Sequence, residues 1–259
     1  MMDMKAISIH SSRGGTGKTL LSLNIAAVYA SEGRSVGLLD FDFRAPSLST
    51  LFRFEAKKWL NDYLDGEAEA EEVVADVSNM LGVKGRFLVG FANPEMEAMR
   101  EIARKDRRWQ TRALRRIMRL RERLREMGVE TVIFDTSPGI HYSSVNAIVS
   151  SDISLLISTM DIVDLEGVQR LIRDLYEAFE KRVYIIVNKA IPYELVSRER
   201  REALVARIKG YFRQPLLAII PCYCDLLLRG SRRRPFVLDR GEHPFSRVVR
   251  EIAHRLDQL

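Results

Sequence analysis

The chain has 259 residues, 46% of them hydrophobic, and a formal net charge of +6. That is long enough for one large core, and a single domain over residues 1–259 is expected, without linker or repeat. Two cysteines argue against a disulfide scaffold, and the N-terminus lacks a signal-peptide stretch. No apolar run approaches the roughly 18 residues of a membrane span, so a cytoplasmic protein is expected.

The first apolar run, 5–11, reads as a strand. It leads into Arg13-Gly-Gly-Thr-Gly-Lys-Thr19 and a helical pattern over 18–32. A strand, a glycine-rich loop and a helix N-terminus in that order form a phosphate cradle. Glycine backbone N–H groups turn toward the anion, and the helix dipole adds its positive end. Lys18 can reach the β- and γ-phosphates, and the Thr19 hydroxyl can join Mg²⁺. Against G-x-x-x-x-G-K-[ST], Ser12 replaces the first glycine and a basic residue precedes the glycine pair, which marks a deviant loop.

A strand over 35–40 runs into Asp40-Phe41-Asp42, and a helix is expected at about 47–64. After a strand at 86–91 comes an arginine-rich helical segment, 95–127. Between Asn93 and Gly128 there are twelve Arg or Lys and six acidic residues, a surplus equal to that of the whole chain. Apolar residues recur there at helical spacing, so one face packs and the other is basic. A solvated face accounts for this, and so does a surface for nucleic acid.

The strand 130–135 runs into Asp135-Thr-Ser-Pro-Gly139, where a carboxylate beside a phosphate loop can hold Mg²⁺ through water. Helices are then expected at 142–150, 165–180, 197–212 and 244–257, and strands at 153–158, 182–187 and 216–220. Several strands are almost uniformly apolar, as when helices cover both sheet faces. The fold expected is α/β: a doubly wound, mostly parallel sheet with helices on both faces, of the P-loop NTPase kind.

The loop Arg13–Thr19, the early Asp40-Phe-Asp42 and the later Asp135-Thr-Ser-Pro-Gly139-Ile together resemble the MinD/ParA family of deviant-Walker ATPases. Leu21-Ser-Leu-Asn24, Asn188-Lys, Ile219-Ile-Pro221 and the tail around Arg229, Pro235 and His243 continue the likeness. The resemblance implies ATP/ADP and Mg²⁺ as cofactors. Gly14, Gly15, Thr16, Gly17, Lys18, Thr19 and Leu20 would bind the phosphates. Thr19, Asp135 and Asp40 would serve the metal, partly through water. Asp42 would position or activate the attacking water, and Asn188, Pro221 and Cys222 would surround adenine. Asn188-Lys-Ala-Ile191 lacks the Asp of an N-K-x-D motif, which favours ATP over GTP. The family's signature lysine is Arg13 here, and it would reach a partner's nucleotide across a homodimer.

The activity so implied is an ATP-dependent dimerisation switch with slow Mg-dependent hydrolysis, stimulated by a protein partner. Its use would be positioning or partitioning of cargo such as DNA or division machinery. A metal or iron–sulfur delivery ATPase using Cys222 and Cys224 is the alternative, as is a low-turnover nucleotide-binding regulator. Asp42-Phe-Arg-Ala-Pro46-Ser47-Leu echoes bacterial tyrosine kinases of the superfamily, but the chain ends without a tyrosine-rich tail. The last helix has the spacing of a core-facing element, which argues against direct membrane attachment. The histidines 10, 141, 243 and 254 show no metal spacing, and Arg232–Arg234 form a second basic cluster.

Overall fold

A computed structural model describes residues 4–227 and 234–259. Arg229, Arg232 and Arg233 of the sequence reading lie outside them. Eight strands form one sheet: β1 (Lys5–Ser11), β2 (Val36–Phe41), β3 (Val74–Asp76), β4 (Phe87–Gly90), β5 (Thr131–Thr136), β6 (Ile153–Ser158), β7 (Arg182–Ala190) and β8 (Leu216–Pro221). Their order is β3-β4-β2-β5-β1-β6-β7-β8, all parallel except β3. The helices are α1 (Lys18–Ser31), α2 (Leu48–Phe52), α3 (Leu60–Asp65), α4 (Ser78–Leu81), α5 (Met96–Arg104), α6 (Arg107–Glu126), α7 (Tyr142–Val149), α8 (Ile162–Leu171), α9 (Arg198–Tyr211), α10 (Cys224–Leu227), α11 (Phe236–Asp239) and α12 (Pro244–Asp257).

Alternate strand residues feed opposite faces. Ile7, Ile9, Val36, Leu38 and Ile133 pack with α1, α11 and α12. Ala6, Leu39, Phe41, Val132 and Phe134 pack with α3 and α6 on the other side. Farther along the sheet, Leu156, Ile185 and Val187 pack beneath α8 and α9. This double cover is why the strands read as unbroken apolar runs. It also puts the loops after β1, β2 and β5, three adjacent parallel strands, at one end of the sheet.

Four expectations need correcting. The helix expected over 47–64 is two short helices, because Arg53 takes a left-handed conformation (φ 47°) that ends α2. The segment 95–127 is also two helices. Lys105 is extended, and the Asp106 carboxylate caps a fresh start by accepting the Trp109 N–H at 2.7 Å. The helix expected from 165 begins at Ile162, capped by Asp161, and its last turn, Ile172–Tyr176, widens to a π-helical turn. The edge strand β3 was not expected at all. The final helix packs Phe245, Val249, Ile252 and Leu256 into the core, as its spacing predicts.

Candidate functional site

The glycine loop joins β1 to α1, and its shape is held from β7. Gly17 caps α1 at φ 99°, where a Cβ would stand 2.4 Å from Asn188 Nδ2. Only glycine fits there, in conformation and in space. Asn188 Nδ2 donates to the Thr16 carbonyl at 2.7 Å, and Asn188 Oδ1 accepts the Lys189 N–H at 2.9 Å. Lys189 Nζ donates to the Gly15 carbonyl at 2.7 Å. Asn188, expected at the base, is thus a brace for the phosphate loop in this structure.

Lys18 is 6% exposed, and its Nζ donates to Ser11 Oγ at 3.0 Å. Burial lowers its pKa, against the opposing pull of Asp135, Asp42 and Asp164. Asp135 lies fully buried at the end of β5. Its Oδ1 accepts the Ser22 hydroxyl at 3.0 Å, while Oδ2 has no hydrogen-bond partner. Burial lifts its pKa to about 6, moderated by the Thr19 and Ser22 hydroxyls and by Lys18. A buried carboxylate oxygen without a partner beside a lysine and a threonine is a donor set suited to a hard divalent cation with water in its shell.

Asp40 and Asp42 divide differently. Asp40 is fully buried, and its oxygens accept the backbone N–H groups of Asp42, Ser47 and Leu48 at 3.1, 3.2 and 3.2 Å. Burial, and then Asp135, push its pKa well up. Asp40 therefore shapes the loop that carries Asp42 and starts α2, and it reaches the site through that loop. Asp42 Oδ1 accepts Ser137 Oγ at 2.9 Å and the Ala45 N–H at 3.1 Å.

Arg13 is half-exposed and pairs within its own chain. Nη2 lies 3.1 Å from Asp161 Oδ1 and Nε lies 4.0 Å from Asp164 Oδ1. Ser12 Oγ also donates to Asp164 Oδ1 at 2.5 Å. The contact seen is in cis; the trans contact expected of Arg13 would need its release from Asp161.

A cavity of about 920 Å³ opens over the loop, within the size range of ligand sites. Gly14, Gly15, Gly17, Lys18, Thr19, Leu20 and Asp42 line it, joined by Arg44, Pro46, Leu51, His141, Leu226, Arg234 and Phe236. Pro221 and Cys222 do not; the Cys222 N–H closes onto the Ala190 carbonyl at 2.8 Å. The far wall is instead α10 and α11, which sequence reasoning missed. Ser22 was also missed, though it lies one helical turn after Lys18 and its position could have been read from that spacing. Cys222 and Cys224 are free thiols, and among the described residues no group of three or more His, Cys, Asp or Glu could hold a metal. Among the described residues, no helix is long and apolar enough to cross a membrane.

The AAA domain family matches residues 4–189. The chain is 27% identical to an uncharacterized ATP-binding protein of Methanocaldococcus jannaschii, over 97% of this chain and 87% of that protein. It is 24% identical to the sporulation initiation inhibitor protein Soj of Bacillus subtilis, over 96% and 98% of the two chains. In fold it is similar to the septum site-determining protein MinD of Pyrococcus horikoshii OT3, solved in complex with Mg-ADP. That likeness has a TM-score of 0.77 at 20% identity and covers 99% and 97% of the chains.

Proposed function

Because the chain belongs to the MinD/ParA family of P-loop ATPases, we propose that it binds ATP with Mg²⁺ and hydrolyses it slowly, as a switch between monomer and homodimer. The observation that carries this reading is the convergence of Lys18, Asp42 and the half-partnered Asp135 on one glycine loop. Gly14 through Leu20 wrap the phosphates, with Lys18 released from Ser11 to meet them. Thr19 and Asp135 hold the cation, which neutralises phosphate charge when bound. Asp42, kept in place by Ser137, orients the attacking water. Arg13 leaves Asp161 to reach the partner's nucleotide. Asn188 braces the loop, and Leu226, Arg234 and Phe236 line the cavity.

Phosphoryl transfer to water is mostly positioning and charge neutralisation, so few groups need to move protons. The dimer is the product that matters, and an activating protein sets its lifetime. Asp42→Ala is expected to keep ATP binding while trapping the ATP-bound dimer, read by light scattering after size exclusion together with phosphate release. Undiminished turnover would sink the assignment.

Duplex DNA is the cargo that one further observation favours. Along α6, from Arg107 to Arg121, there are seven arginines and no acidic residue. Arg108, Arg112, Arg115 and Arg119 are exposed, follow i, i+4, i+7, i+11 spacing, and have no ion-pair partner among the described residues. The next turn behaves oppositely: Arg121 pairs with Asp152, Arg123 with Glu71 and Glu126, and Arg125 with Glu122. Unbalanced like charges three and four residues apart cost helix stability, and a linear polyanion would relieve that cost. Binding to a labelled duplex should weaken steeply with salt, and the double substitution Arg112→Ala, Arg115→Ala should flatten the log–log slope by about one per lost phosphate contact. A flat salt dependence in the wild type would remove DNA from the reading.

A further inference from the structure

We propose that His10 is a positioning residue for Asp42: it fastens the loop 137–142 to the root of the phosphate loop and so sets the carboxylate that orients water. The proposal rests on the ATPase reading above. It starts from a fully buried histidine that the phosphate chemistry does not use.

His10 lies on β1, just ahead of the phosphate loop. Its Nε2 is 2.9 Å from the Gly139 carbonyl oxygen, and its Nδ1 is 2.8 Å from the Tyr176 hydroxyl. A carbonyl oxygen only accepts, so Nε2 must carry the hydrogen. Nδ1 then offers a lone pair, and the Tyr176 O–H donates into it. Burial holds the imidazole pKa down to about 4, so the ring is neutral at pH 7 and one tautomer is imposed.

The loop's hold on β1 is continuous. Thr136 Oγ1 donates to the Ile9 carbonyl, His10 donates to Gly139, and the Gly139 N–H donates to the Ser11 carbonyl, each at 2.9 Å. Ser11 is also where Lys18 rests. Two residues before Gly139, the Ser137 hydroxyl donates to Asp42 Oδ1 at 2.9 Å. One short span of backbone is thus fixed by His10 at one end and holds Asp42 at the other.

Tyr176 reaches His10 because its helix is irregular. The Glu177 N–H donates to the Ile172 carbonyl at 2.9 Å, and the Lys181 N–H donates to the Tyr176 carbonyl at 3.0 Å. The first is the i to i+5 bond of a widened turn, and the second closes the chain after it, where Glu180 is left-handed (φ 50°). Each extra residue in such a turn displaces the following side chains by roughly 100° about the axis, and Tyr176 ends 1% exposed against the ring. Leucine or phenylalanine would fill the space around His10. A fully satisfied polar pair adds a fixed orientation, which packing alone does not.

The test uses the full chain as wild type, His10→Leu, His10→Gln and Tyr176→Phe. Two readouts are taken: hydrogen exchange of residues 136–142 without nucleotide, and kcat, KM and ADP affinity with ATP or ADP. His10→Leu should speed exchange of the loop about tenfold and lower kcat about tenfold, the loss of one hydrogen bond, with ADP affinity within about twofold. His10→Gln, whose amide N–H can replace that of Nε2, should restore both. Tyr176→Phe should fall between, although Tyr176 hydrogen-bonds to neither the loop nor Asp42. Unchanged exchange in His10→Leu, or an ADP affinity falling as far as kcat, would overturn the proposal. If His10→Leu does not fold, Tyr176→Phe must still speed exchange, and wild-type behaviour there overturns it as well. A wild type without ATP turnover would defeat the ATPase reading separately, since the exchange measurement needs no nucleotide.

Discussion

Asp135 is where the site's chemistry and its stability conflict. Its carboxylate is fully buried, one oxygen has no partner, and its pKa is raised to about 6 from an ordinary 3.8. A carboxyl whose folded pKa is raised favours the folded state fully below pH 3.8 and loses that advantage as pH rises through 6. The loss amounts to about 3 kcal/mol above pH 6. Asp135→Asn is therefore expected to make the nucleotide-free protein more stable at pH 8, by up to about 3 kcal/mol, with the gain fading below pH 4. Denaturant titrations at the two pH values check this. The same substitution should abolish Mg-dependent ATP binding; a variant destabilised at pH 8 would mean that the Ser22 and Lys18 contacts outweigh the buried charge. His10 runs the other way in the same window. Its pKa is depressed to about 4, so its contribution is present above pH 6.5 and is lost as pH falls toward 4. Between pH 6.5 and 4 the two groups partly cancel, and His10→Gln should expose the opposite slope of Asp135.

Elements with a regular period were legible in the sequence, and those ended by a single local event were not. The apolar runs of β1, β2, β5, β6 and β7 and the loop at 13–19 are patterns over several residues, and the structure places them where they were expected. The break at Arg53 and the restart at Asp106 each hinge on one residue's backbone or cap, which a periodicity over 47–64 or 95–127 averages away. Strand β3 is three residues long on an edge, too short to show alternation. At the site, Lys18 followed from the pattern of the glycine loop, and Asp42 and Asp135 from their places just after or at strand ends. The occupation of Asn188 by Thr16 and the wall made by Leu226 and Phe236 depend on tertiary placement, with no local signal. Helix α6 is the element whose composition most opposes its own stability. Arg112→Glu would put an acid four residues from Arg108 and Arg116 and three from Arg115. Each new pair contributes roughly 0.3 kcal/mol, so the variant should melt above wild type while losing DNA affinity. A lower melting temperature would show that the arginine stripe carries contacts of its own.

At the scale of the whole molecule, the parallel sheet sets three neighbouring loops at one end, and in the proposed dimer the approach of a second copy turns on where Arg13 points. In the single chain it lies against the N-terminus of α8, held by Asp161 and near Asp164. The Arg13 and Asp161 side chains are 47% and 53% exposed, so the pair is screened by water and contributes no more than about 1 kcal/mol. Such a tether is weak enough for a partner's phosphates to displace, yet strong enough to bias the monomer. Asp161 also caps α8, its Oδ1 accepting the Val163 N–H at 2.9 Å, so the informative substitution must keep the cap. Asp161→Asn does so while removing the charge. It is expected to tighten ATP-dependent dimerisation by up to about 25-fold, about 1 kcal/mol for the tether of each of the two subunits, and to leave the ADP state monomeric. Arg13→Ala should weaken ATP-dependent dimerisation more than nucleotide binding to the monomer. The double variant decides between routes: if Asp161→Asn still promotes dimers when Arg13 is alanine, the carboxylate acts through something other than the tether. If the gain disappears, Arg13 is the side chain that release of the tether makes available to the second subunit.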